Sequence, residues 1–172
     1  MAALNPQVIG KEMPHGFAGC YARQPDMIVE TRPAGGETPI PFGAPLVYDA
    51  TKPTVVAAGA GFTAAAFVGV AGAEIKTALT YLTQQEGQYA PGEPVSVFQR
   101  GSINVKAYGT PALGGTVYVR TAASGTYTTE PVGAFTATNE SGSTVALTNC
   151  QWGGPADANG IAELVILTRA NA

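Results

Sequence analysis

Nucleophilic catalysis needs a base held beside the nucleophile, and the sequence offers a single histidine, His15, in "HGFAGC" just ahead of Cys20. A thiol–imidazole dyad works only on a surface that fixes both groups. This pair instead sits in a stretch interrupted by Pro6, Pro14, Pro25 and Pro33, so His15 reads as a packed or solvated residue rather than a base. Asp26 and Glu30 are close in sequence, but nothing there would desolvate either carboxylate, and they read as solubilising charge rather than an acid–base couple. "DANG" at 157–160 opens like a calcium loop yet lacks the later ligands, including a bidentate Glu at the twelfth position, and so reads as a turn. Neither Cys20 nor Cys150 has a second Cys or a His at metal-ligand spacing, and no Gly-rich phosphate loop with a Lys occurs. The residues therefore predict no catalytic site, no cofactor and no metal, hence not an enzyme.

Charge narrows the partners. Net charge is −3 and the 9 Lys and Arg are scattered from Lys11 to Arg169, so no basic stripe is available to displace counterions from a nucleic acid. Charged residues make up 12%, about half the usual share of a soluble domain. A surface of Thr, Ser, Gly and Ala gives little electrostatic steering, which favours recognition by shape and main-chain contacts.

Pro6, Lys11, Glu12 and Pro14 interrupt the apolar run that a cleaved leader would need. Residues 54–73 are uncharged and long enough to span a bilayer. Eight of these 20 residues are Ala and four are Gly, which contribute little insertion energy, so no membrane partner is expected. A disulfide between Cys20 and Cys150 is one reading. Two partly buried thiols in a reducing cytosol, where the chain is expected to be made, is the favoured one. The sequon at Asn139 would matter only in a secretory pathway.

Those residues need a scaffold, and the pattern predicts an all-β one. Residues 1–44 carry Pro6, Pro14, Pro25, Pro33, Pro39 and Pro41, too many for a helix or a central strand, and read as an extended N-terminal arm. Thirty extended residues reach about 100 Å at most, enough to touch a neighbouring molecule. From 45 to 172 short apolar runs closed by Gly, Pro, Asn or Asp predict a compact β-barrel or β-sandwich body. The expected strands are Leu46–Tyr48, Ala65–Val70, Val95–Phe98, Ile103–Ala107, Thr116–Arg120, Thr126–Thr129, Val132–Thr138, Thr144–Trp152 and Ala162–Thr168. Between the third and fourth, Gln99, Arg100 and Gly101 read as a polar break. Alternation places Val117 and Val119 on one face and Tyr118 and Arg120 on the other. Residues 74–88 fit a short helix through Ile75, Leu79 and Leu82 or a strand through Ile75, Thr77, Leu79 and Tyr81.

In order and spacing, "PIPFGAPLVYD" at 39–49, "FVGVAG" at 67–72, "YAPGEPVSVFQRGSINVKA" at 89–107, "GGTVYVRTAASGTYTT" at 114–129, "CQW" at 150–152 and "GIAELVIL" at 160–167 resemble the structural cement, or head decoration, proteins of tailed bacteriophages. The resemblance implies a β-barrel or β-sandwich bound to the outside of a capsid, usually as a small homo-oligomer, a dimer or trimer, in contact with several major capsid protein subunits. On that reading the body bridges subunits and stabilises the shell against genome pressure. The arm would thread along neighbours, with Phe17, Tyr21, Met27 and Ile28 as its candidate contacts, although the same apolar groups could cover their own barrel. The alternative is a glycan- or cell-surface-binding module with Trp152 or Tyr108, Tyr118 and Tyr127 as its platform.

Overall fold

The computed structural model describes residues 14–73 and 87–169, and nearly all of its regular structure is strand. In chain order these are β1 (Tyr21–Pro33), β2 (Ile40–Pro41), β3 (Pro45–Tyr48), β4 (Val55–Ala57), β5 (Phe67–Ala71), β6 (Gln88–Tyr89), β7 (Pro94–Tyr108), β8 (Thr116–Arg120), β9 (Phe135–Thr136), β10 (Thr144–Trp152) and β11 (Ile161–Ile166). The all-β expectation holds, as a closed barrel with additional strands.

Closure follows from the pairings. The second half of β7 pairs with β11, β11 with β10, β10 with β8, β8 with β9, and β9 runs parallel to the end of β7. Closing a sheet this way removes free edges. The first half of β7 belongs to a second cycle. It pairs with β5, β5 with β3 and β3 with β4, while β1 lies along the other side of β7 and its end meets β4 through the Ala34–Val55 bridge. Two cores result. Phe67, Phe98, Phe135, Trp152, Val117, Val119, Leu147 and Leu164 fill the larger. Ile40, Leu46, Val55, Val68, Tyr89, Val95 and Val97 fill the smaller.

The break expected at Gln99–Gly101 is absent: β7 runs unbroken from Pro94 to Tyr108. The reason lies in strand parity. Before the break, Val95 and Val97 face the smaller core while Phe98 faces the larger. After it, Ile103, Val105 and Ala107 face the larger core. The parity changes where β7 passes from its pairing with β5 to its pairing with β11, opposite the irregular register of β1. Gly101, at φ +103°, provides the kink, and a side chain there would overlap Asp26 O. Gln99 is fully buried and bonds Glu30 and Arg169, which is why a polar residue sits mid-strand.

Other expectations shift. Thr116–Arg120 and Thr144–Trp152 are strands as predicted. Ala64–Ala66 is instead a 3-10 turn leading into β5, 126–129 is not a strand, and of 132–138 only Phe135–Thr136 pairs. Residues 21–33 form β1 along β7. Of the ambiguous 74–88 segment, Gln88 lies in β6, and 74–86 fall outside the described residues, as do 1–13 of the expected arm. Among the described residues no helix is long and apolar enough to cross a membrane. Cys20 and Cys150 are free thiols.

Candidate interaction surface

The outer face of the barrel, where β7 and β11 present Asn104 and Glu163, is covered by residues 14–20. Gly19 N donates to Asn104 O at 2.7 Å and Asn104 N to Cys20 O at 2.9 Å, so the segment docks like a short strand. The Asn104 amide donates to His15 O at 2.7 Å and to Cys20 Sγ at 3.3 Å. His15 N in turn donates to Asp157 Oδ2 at 2.9 Å. Asp157 thus serves the "DANG" turn and the docked segment together: its Oδ1 accepts from Asn159 N and Ile161 N. The bond from Ile161 N, with those from His15 N and Asn159 N behind it, outweighs the opposing effect of burial and holds this carboxyl below its ordinary range. The turn reading of 157–160 is what the geometry contains. His15 Nε2 sits 3.3 Å from Pro155 O.

Beside this segment is a cleft of about 390 Å³ lined by His15, Arg23, Asp157 and Glu163. Arg23 spans it, donating to both oxygens of the buried Glu163 at 2.8 and 3.1 Å. Its charges satisfy one another. Burial pushes the Cys150 thiol up to about 12, which makes it inert at neutral pH. Among the described residues no group of three or more His, Cys, Asp or Glu could hold a metal ion.

The four candidate contacts divide. Tyr21 stacks on Phe98 with ring centroids 5.4 Å apart, and Met27 packs against the larger core. Phe17 at 63% exposed and Ile28 at 38% remain open to solvent. Of the residues named for a glycan platform, Trp152 is wholly buried in the core, which removes it from any surface. Tyr108 and Tyr118 are half-buried, and the Tyr127 ring lies over Arg120, 5.6 Å from its guanidinium carbon.

A charged cluster that sequence reasoning left unnoticed lies under the excursion between β8 and β10. Arg120, fully buried, donates to Glu130 at 2.6 and 2.9 Å and to Glu140 at 2.7 Å. Ser124 donates to the other Glu140 oxygen at 2.9 Å. Burial works against the Arg120 charge, but its bonds to Glu140 and Glu130 prevail and raise its affinity for its proton. Alternation had put Arg120 on the outer face of β8, and so it is. Only residues 121–143, folding back over that face, bury it. No local signal announces such a cover.

A family profile described as "Structural cement protein (E217 gp24/Pam3 gp6)" matches residues 5–167. No curated protein matches the sequence. Among solved structures, a chain of "The capsid of Myoviridae Phage XM1" aligns with a TM-score of 0.67 over 96% of this chain and 98% of that chain, at 17% identity. At that identity the likeness is one of fold.

Proposed function

The chain belongs to the family of phage structural cement proteins, and from that premise we propose that it binds the outer surface of the head and bridges adjacent major capsid protein subunits against internal genome pressure. A structural role in a phage capsid needs no chemistry, only stiffness and grip. The observation that carries the bridging reading is the two-core body threaded by one 15-residue strand, β7. A load applied at either end is carried along a single backbone that both cores clamp. Bridging also makes modest contacts sufficient, because a copy released from one subunit is held by the next and rebinds at high effective concentration. A contact area of about 1,600 Å² per copy is enough for a specific interface. Phe17 and Ile28 are the arm residues free to contribute to it. Association with itself as a dimer or trimer, and assembly in the host cytoplasm, belong to the same proposal.

The test is co-sedimentation of the full chain with heads purified from a phage lacking this protein, followed by heating of the decorated and bare heads. Decorated heads should retain their genome to a higher temperature. Binding without any gain in heat resistance sinks the reinforcement reading. Undiminished binding by a truncation lacking residues 1–13 would take those residues out of the mechanism.

A further inference from the structure

The tip of the 157–160 turn brings together three groups that shell binding does not use. Asn159 is the one asparagine in the sequence followed by glycine. It is exposed, and among the described residues its side-chain amide makes no hydrogen bond. Gly160 carries no Cβ to screen its own nitrogen from that side chain. The third group is Lys106 of β7, which reaches across and donates to Asn159 O at 2.6 Å.

The position of the ammonium is fixed by the fold. β11 pairs Ile161 with Lys106, and Ala107 N donates to Gly160 O at 2.9 Å. Gly160, at φ +72°, lies so close that a side chain there would overlap Lys106 Nζ. Strand register, rather than a free surface rotamer, brings the cation to the turn.

The Asn159 carbonyl and the Gly160 N–H belong to one peptide group. When a base removes that proton, the negative charge spreads from nitrogen onto Asn159 O, by the resonance that keeps the peptide planar. An ammonium beside the oxygen stabilises this anion more than the neutral amide, so a larger fraction of the nitrogen becomes nucleophilic.

We propose that Asn159 is a self-modification site, at which the Gly160 nitrogen attacks Asn159 Cγ while Lys106 supports the attacking peptide group. The new N–C bond closes a five-membered imide as the bond from Cγ to the side-chain nitrogen breaks. That nitrogen takes a proton from water and leaves as ammonia. Water then opens the imide at either carbonyl, giving aspartate, or isoaspartate if the main chain now runs through the former side chain. Water is the only co-reactant and no electrons are exchanged.

Attack requires the Gly160 N–H to leave Asp157 O, which accepts from it at 2.9 Å. One backbone bond at the tip of an exposed turn opens far more readily than the fold as a whole. The isoaspartyl product adds one carbon to the main chain inside a turn whose Asp157 carboxylate also holds His15 N. The change is one-way, accumulates with age and reaches the docked 14–20 segment, whether or not the protein is on a head.

The experiment ages the full-length chain at about pH 8, where lysine side chains keep their proton, and follows aspartate and isoaspartate at each asparagine by peptide mass spectrometry. Asn139, equally exposed but followed by Glu140, is the internal control. Asn159 should convert at least about tenfold faster than Asn139, because only glycine leaves the attacking nitrogen unscreened. Lys106→Met should slow conversion of Asn159 about threefold or more, Lys106→Arg should behave like wild type, and added salt should narrow the gap. In concentrated urea, where the strand register is lost, wild type and Lys106→Met should convert alike. No excess at Asn159 over Asn139 overturns the site. Equal or faster conversion in folded Lys106→Met overturns the part given to the ammonium, as does a gap that persists in urea. Aged wild type should also exchange its Gly19 and Asn104 amide hydrogens faster than an equally aged Asn159→Gln variant; equal exchange overturns the link to the docked segment.

Discussion

Two irregular segments cover the outside of the strand framework, and they are held by opposite means. β1 lies along β7 through a ladder of backbone pairs from Val29–Phe98 to Pro33–Pro94, and its ion pair with that strand, Asp26 with Arg100 at 3.2 Å, stands in water with side chains 72% and 41% exposed. The 121–143 excursion has few ladder bonds and is pinned by the buried Arg120 between Glu130 and Glu140. A backbone ladder spreads its stabilisation over many residues, so losing one side chain changes little. A buried charge concentrates it, because removing one partner strands the other away from water.

The largest effect should therefore come from Arg120→Met. It leaves Glu130 buried without its partner and should cost roughly 3–5 kcal/mol in urea denaturation. The double variant Arg120→Met/Glu130→Leu should recover much of that loss, since no charge is then stranded; equal destabilisation of both variants would mean the pin acts through shape alone. Acid should remove part of the same contribution. Hydrogen bonds from Arg120, opposed by burial and aided by Ser124, hold the Glu140 carboxyl below its ordinary 4.5. A carboxyl depressed in the folded state stabilises the fold above its unfolded value and stops doing so as pH falls through its folded value. Melting temperatures of wild type and Glu140→Gln should therefore differ at pH 7 and converge below about pH 4.5; a gap that persists in acid would contradict the charge-based account.

On the ladder side, Gly101→Ala should cost about 1–3 kcal/mol, because the residue sits at φ +103° against Asp26 O. A neutral result would show that β1 yields at its bulge. Smallest of all, Arg100→Ala should change stability by less than about 1 kcal/mol, as is usual for an exposed pair. A larger loss would mean that β1 depends on its charges after all, and the contrast between the two segments would disappear.

Much of this architecture was legible in the chain. Alternation in "VYVR" located β8 because a strand buried on one face must repeat with period two, and the apolar run Thr144–Trp152 located β10. The misreadings have physical causes too. Gln99–Gly101 looked like a break because β7 is buried on both faces there, which puts a polar residue in the core and erases the alternation. Thr126–Thr129 has strand-forming residues but no neighbour to pair with. Alternation set Arg120 opposite Val117 and Val119 but not its burial, because its cover lies in residues 121–143, whose course no local pattern describes.

What the sequence by itself determined is the all-β class, the absence of local motifs for chemistry and the membership signalled by motif order, since periodicity, composition and spacing are written in neighbouring residues. The tertiary structure alone decided that one strand serves two cores, that Arg120 is a buried pin, and that Lys106 meets the Asn159 carbonyl. Each of these depends on which distant segments approach one another, and that is set by the combined burial of the whole chain rather than by any stretch of it.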